Sequence, residues 1–267
     1  MPKLLAAGHE VVATTTTADK VPQLQALGAE AKVARLDAPA ELRAALEGCT
    51  KVLHLAPPDR QAEVGPQVQS LLLGLPAGLD ALVYGSTTGA FGKHPTPELW
   101  IDESTPSRNL GAWGQVRLEF ERGLRQSGLP VRVLRIAGIY GPGRTVLTSM
   151  HRGMLLFEGG PATSRVHVED LARLLVALLQ PGTPPLTVAC DELPTPTLEV
   201  ARFACEQAKL HPPDVLTLEQ AQAHLSPQAL EMRLGGRRCR SLVRKHLIGD
   251  LTYPTYKEGL IASLSEA

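Results

Sequence analysis

The chain has 267 residues, with 27 Lys and Arg against 27 Asp and Glu, and so carries no net charge; bulk electrostatics point to neither nucleic acid nor an anionic membrane. A hydrophobic fraction of 43% is enough for a core, and the length suits one large domain or a domain with a smaller C-terminal lobe. No apolar run is long enough to span a bilayer, and the stretch from Met1 to Ala7 is too short for the apolar region of a secretion signal. Cys49, Cys190, Cys205 and Cys239 are scattered without Cys-x-x-Cys spacing, which reads as reduced cysteines in a cytoplasmic protein.

In chain order, Leu4 to Ala7 reads as the last turn of a helix, with Gly8 as its C-terminal stop. A strand over 11–15 follows, then a short helix over 21–27 closed by Gly28. The pattern continues with a strand over 31–36, a helix over 39–46, a strand over 51–56 stopped by Pro57-Pro58, a helix around 68–73 and a strand over 81–84. A long helix over 112–126 leads to a strand over 131–136. Strands alternating with helices indicate parallel βαβ units with right-handed crossovers. After Gly143 the alternation weakens: helices are expected over 171–179, 198–209 and 218–224, and a strand over 186–189.

Several ordered motifs carry a resemblance. They are His54-Leu55-Ala56-Pro57 after one strand, Ser86-Thr87-Thr88-Gly89-Ala90-Phe91-Gly92 after the next, and Asp102-Glu103-Ser104-Thr105-Pro106. The segment from Leu134 through Tyr140-Gly141-Pro142-Gly143 to Arg144 is the most specific, supported by Val166 to Ala172 and Leu251 to Leu260. Over nearly its whole length the chain resembles the atypical short-chain dehydrogenase/reductases of the NAD-dependent epimerase/dehydratase type, close to the nucleoside-diphosphate-sugar epimerase-like group. The resemblance implies a doubly wound Rossmann-type α/β domain over residues 1–152 and a small, mainly C-terminal substrate lobe over 153–267, with elements free to interleave. It also implies that the chain starts partway through its cofactor-binding unit. No strand and glycine-rich turn precede Gly8, so a break in the sheet and weak cofactor affinity are expected.

The resemblance assigns residues to roles. Thr15 and Thr16, with Thr17, would face the adenosine ribose. Threonines there with Lys20 nearby, and no acid, lean toward NADP over NAD, while an ordinary polar strand end fits equally well. Asp37 would approach the adenine, and Leu55, Ala56, Pro57 and Ser86 would line the cofactor groove. The family's catalytic hydroxyl falls on Thr87. Its Tyr-x-x-x-Lys falls on Trp113-Gly114-Gln115-Val116-Arg117, whose spacing of four keeps both ends on one helix face. An indole N–H cannot act as a proton donor near neutral pH, and arginine replaces lysine's compact charge with a planar fork. Tyr84 and Tyr140 are the remaining acid candidates; Tyr84 reads as buried strand, and Tyr140, in a substrate-facing loop in the family, is the better one.

Arg135, Tyr140 and Arg144 are expected on the substrate side, although surface arginines explain two of them as well. Arg238, within Arg237-Arg238-Cys239-Arg240, would reach a nucleotide-sugar phosphate or form a solvated face. His167 and Asp170 read as the start of a helix. No histidine pair has metal spacing, so no metal is expected. These residues describe an NAD(P)-binding epimerase/dehydratase-like protein, descended from or acting on a nucleotide-linked or similar small substrate, with a degenerate site. An active NAD(P)-dependent reductase or epimerase with a different N-terminus, and a non-catalytic ligand-sensing or partner-binding scaffold, are the alternatives.

Overall fold

The computed structural model describes residues 1–94, 96, 98–211 and 213–265. Its elements begin with α1 (Pro2–Ala6), β1 (Val12–Thr15), α2 (Val21–Ala26), β2 (Glu30–Val33), α3 (Pro39–Ala45), β3 (Lys51–His54), α4 (Val64–Gly74) and β4 (Ala81–Thr87). Then come β5 (Trp100–Ile101), α5 (Ala112–Arg125), β6 (Val131–Ile136), β7 (Gly138–Tyr140), α6 (Val146–His151), β8 (Leu156–Phe157), β9 (Ala162–Thr163) and β10 (Arg165–His167). The chain closes with α7 (Val168–Ala177), β11 (Leu186–Ala189), β12 (Thr195–Pro196), α8 (Thr197–Gln207), β13 (Val215–Leu216), α9 (Leu218–His224), α10 (Pro227–Leu234), β14 (Arg238–Cys239), α11 (Arg244–Ile248) and α12 (Tyr256–Ser265). They form two compact units that interleave in sequence: residues 1–90, 111–134 and 172–187, and residues 91–110, 135–171 and 188–267.

The first unit has the expected α/β alternation. β3 and β4 pair in parallel, Leu53 opposite Val83, within a sheet of order β11-β6-β4-β3. β1 and β2 form a separate parallel ladder, Val12 opposite Glu30. The sheet is therefore interrupted between β1 and β3, as expected, and the two sides of the break differ in packing. Ala81 to Ser86 of β4 are buried without interruption, as a strand covered on both faces requires. Among the described residues before Ala34, only Ala29 is buried.

The core of this unit gathers Leu42, Leu46, Val68, Leu71, Leu75, Leu82, Tyr84, Phe120, Leu124 and Val133. Each such side chain contributes about 1.5–3 kcal/mol on burial. Helix α4 presents Val68, Leu71 and Gly74 at i, i+3 and i+6, the spacing of a core-facing stripe. Helix α5 buries Gly114, Leu118, Glu121 and Leu124. Its positions 113, 117, 120 and 124 run along an adjacent line, so Trp113 and Arg117 continue the line that Phe120 and Leu124 carry into the core.

The second unit is built from short strands. β7 pairs with β10, and β5 pairs with β14 so that Trp100 lies opposite Arg238. One apolar cluster holds Tyr140, Leu147, Val200, Ala204, Tyr256 and Leu260, and another Phe91, Ile101, Ala137, Val188, Cys190 and Cys239. Gly92 shows why the turn after Phe91 needs glycine. Its φ is +78°, and a Cβ there would stand 1.7 Å from the Arg108 carbonyl oxygen. Among the described residues no helix is long and apolar enough to cross a membrane.

Candidate functional site

The site in the first unit is assembled where β3 and β4 end beside the start of α5. His54, the last residue of β3, stacks on Tyr84 of β4 at 5.5 Å and on Phe120 of α5 at 5.6 Å. Tyr84 is fully buried, and its hydroxyl accepts a hydrogen bond from Arg117 Nη1 at 3.2 Å. The same nitrogen donates to the Gly85 carbonyl at 3.3 Å. One turn earlier on α5, Trp113 stands 4.9 Å from the Arg117 guanidinium carbon. Arg60, from the segment between β3 and α4, covers the same indole at 4.0 Å.

Electrostatics follow from this packing. Burial first, and the Arg117 charge second, push the His54 pKa down to about 4, so the ring is neutral at physiological pH. Burial raises the Tyr84 phenol although Arg117 opposes the shift, so this sealed hydroxyl is no proton donor to a ligand. Arg117 Nε is buried and has no hydrogen-bond partner.

The remaining cofactor-side residues take distinct places. Thr15 ends β1, and its hydroxyl closes a local turn with Thr17. Thr16 and Lys20 are exposed. Asp37 is bound by Arg35 through two hydrogen bonds, at 2.9 and 2.7 Å, and both side chains are largely exposed. Leu55, Ala56 and Pro57 follow β3 and are exposed, Leu55 at 49%. Thr87 ends β4 and accepts from the Gly89 N–H. Ser86 turns inward instead and donates to Glu121 at 2.5 Å, where both residues are buried.

In the second unit the candidates serve the fold around them. Tyr140 is buried, donates to the Thr255 carbonyl at 3.2 Å and lies so close to Gly259 that a Cβ there would meet its hydroxyl at 2.2 Å. Burial first, then the nearby Asp191 charge, raises its pKa far above the ordinary tyrosine value, which removes it as an acid. Arg135 is buried over the Phe91 ring at 4.3 Å. Arg144 donates to the Ile139 carbonyl, and Arg238 covers Trp100 at 5.1 Å. Asp170 does not serve only the start of α7: its carboxylate accepts the backbone N–H groups of Thr252 and Tyr253 at 2.8 and 2.9 Å. His167 reaches Ser263 at 3.2 Å.

Sequence reading missed Arg60, His54 and Glu121 as members of the first-unit site. Arg60 sits in an irregular segment where no periodicity announces it. Glu121 was readable in principle, because it falls on the buried stripe of α5 four residues after Arg117.

Residues 1–181 match the model of the NAD(P)H-binding family. The chain belongs to that family. Among solved structures it is similar to a functionally unknown conserved protein from Silicibacter pomeroyi, with 30% identity, 99% of this chain and 93% of that one covered, and a TM-score of 0.83. It shares its fold with a human epimerase family protein solved with NADPH (17% identity, 97% and 100% covered, TM-score 0.74). The same holds for a nucleoside-diphosphate-sugar epimerase from Pseudomonas aeruginosa (19% identity, 98% and 90% covered, TM-score 0.73). No curated protein matches. The chain thus has an α/β Rossmann-type fold, shared with these epimerase-type structures.

Proposed function

We propose that this family member binds a nicotinamide dinucleotide, with NADP slightly preferred, at a site that no longer couples binding to proton transfer. The carrying observation is the Trp113–Arg117 pair at the position where the family places its acid/base tyrosine and lysine. The residues present fit a dinucleotide. Thr15, Leu55 and Thr87 each follow the carboxyl end of a strand in a parallel ladder, the side on which such sheets take ligands. A half-exposed leucine after a strand suits contact with an adenosine or nicotinamide moiety.

When bound, the nicotinamide would accept or deliver a hydride. The chain's own residues do the rest. Arg117 offers a fixed positive charge and donors toward a ribose hydroxyl, and Trp113 offers a flat apolar face. Thr87 supplies a hydroxyl at the strand end. Neither the Thr87 hydroxyl nor the Trp113 indole titrates near neutral pH, and Tyr84 and Tyr140 are buried in cores. The ligand beside the dinucleotide is a small, nucleotide-linked or similar molecule.

The test is NADPH oxidation with a panel of carbonyl compounds and nucleotide sugars. The native chain is expected to give no turnover above the uncatalysed blank, since a positioned acid/base group supplies about 10²–10⁴-fold. Robust turnover by the native chain would overturn the reading, and its loss in Thr87→Val would then locate the reaction.

A further inference from the structure

Two guanidinium groups meet one indole at the start of α5, with no carboxylate between them. Arg60 lies 4.0 Å and Arg117 4.9 Å from the Trp113 ring centre. An aromatic face answers a cation only in part, because it offers no hydrogen-bond acceptor in the plane of the fork. Arg117 uses Nη1 on Tyr84 and Gly85, while its Nε is buried and unpartnered. Among the described residues neither Arg60 nor Arg117 makes an ion pair.

The nearby carboxylates are turned to other tasks. Asp59 accepts the Gln61 N–H at 2.8 Å, Glu119 accepts from Gln115 at 3.3 Å, and Glu121 accepts from Ser86 at 2.5 Å. The first turn of α5 holds no acidic residue, and its N-cap, Gly111, makes no side-chain cap. Two guanidinium groups without an ion-pair partner among the described residues therefore stand beside a flat aromatic surface.

Arg60 is also placed to move without its backbone. Gln67 of α4 holds Asp59 from both sides, accepting its N–H at 2.7 Å and donating to its carbonyl at 3.0 Å. The neighbouring Arg60 side chain is exposed, and its contact with the indole is its one recorded interaction among the described residues.

We propose that Arg60, Trp113 and Arg117 form a binding site for an oxyanion, the phosphate or carboxylate of a small molecule, held between the two guanidinium forks once Arg60 lifts from the indole. A planar fork of N–H donors matches such a group in charge and in geometry. The inference rests on the reading that Trp113 and Arg117 bind rather than transfer protons.

The chain has two tryptophans, so Trp100→Phe leaves Trp113 as the reporter. Its emission is followed while inorganic phosphate, and separately acetate, replaces chloride at constant ionic strength. A saturable change is expected, weakened about tenfold in Arg60→Gln and again in Arg117→Gln, as loss of a charge-assisted pair requires. Saturation with phosphate alone assigns the site to phosphates, and saturation with acetate assigns it to carboxylates. A response that merely follows salt, or that Arg60→Gln leaves unchanged in a variant with native circular dichroism, overturns the proposal. An NADPH titration read by nicotinamide emission separates the two readings. Phosphate binding without NADPH binding keeps the oxyanion site and removes the dinucleotide seat, whereas NADPH binding without a phosphate response does the reverse.

Discussion

The polar groups of the two units are arranged to different ends. In the second unit they join chain to chain. Asp170 takes two backbone N–H groups, Glu103 takes those of Val188 and Leu242 and the Ser241 hydroxyl, and Arg165 donates to the carbonyls of Thr163 and Thr195 and to the Thr197 hydroxyl. In the first unit the Arg60–Trp113–Arg117 group is half-paired among the described residues, with a buried donor left over and no ion pair. Burial penalises an unmatched polar group in either place. The networks around Asp170, Glu103 and Arg165 therefore read as architecture, and the two guanidinium groups on the Trp113 indole as a place for a ligand.

Four side chains in the second unit break the pattern, for His94 Nε2, Asp191 Oδ2, Arg238 Nε and Arg244 Nη1 are buried without a hydrogen-bond partner among the described residues. Asp191 is buried, and its Oδ2 has no partner. The proton resolves the conflict: burial, opposed by the Arg165 N–H and charge, raises its pKa to about 7 from 3.8. His54 in the first unit is the mirror case, where burial drives the proton off. Both favour the neutral form, and so they act on stability with opposite sign.

The largest expected effect is that of Asp191. The folded state holds its proton more tightly, so the contribution is complete below about pH 4 and is lost as pH rises through about 7. Asp191→Asn should remove a loss of up to about 4 kcal/mol across that window, read by urea unfolding at several pH values. For His54 the folded state binds the proton less tightly. Its contribution is complete above about pH 6.5 and is lost as pH falls toward about 4. His54→Phe should abolish an acid loss of about 3 kcal/mol, and hydrogen exchange should place that loss in the first unit. If both variants keep the native pH profile, the burial argument fails in both units.

Asp170→Asn keeps one acceptor and forfeits the charge that receives two N–H groups, at a cost of about 2 kcal/mol in thermal unfolding. Its dinucleotide affinity per folded molecule should not change. The smallest effect on stability is expected from Trp113→Phe, within about 1 kcal/mol, because the indole is only half-buried. Ligand binding should nonetheless weaken in that variant, whereas a purely structural Trp113 would show the two changes together.

Much of the first unit was legible because its elements are long enough to show a period. β4 opens on a continuous apolar run, β6 is a Val/Leu/Ile-rich segment broken by Arg132 and Arg135, and α5 reads as a stripe of 3–4 spacing. In the second unit the helices over 198–209 and 218–224 were legible and appear as α8 and α9, but the strands were not, since β5, β8, β9, β12, β13 and β14 have two residues each and no period at all. The pairing of Trp100 with Arg238 joins positions far apart in sequence and leaves no local trace. At the site, Trp113, Arg117 and Thr87 came from the resemblance, as the family's Tyr-x-x-x-Lys and hydroxyl positions. Arg60 was not, because its position depends on where Gln67 anchors the preceding residue. Ser86 was read as lining the groove, whereas its hydroxyl donates to Glu121, which falls on the buried stripe of α5.

The central claim is that a reduced nicotinamide sits beside Trp113 at a seat without a proton donor. Energy transfer from Trp113 to NADPH in the Trp100→Phe chain tests it most directly. The account expects weak, saturable sensitised nicotinamide emission that disappears when Trp113→Phe is added. Saturable NADPH binding with no transfer from Trp113, or no binding at any accessible NADPH concentration, would contradict it.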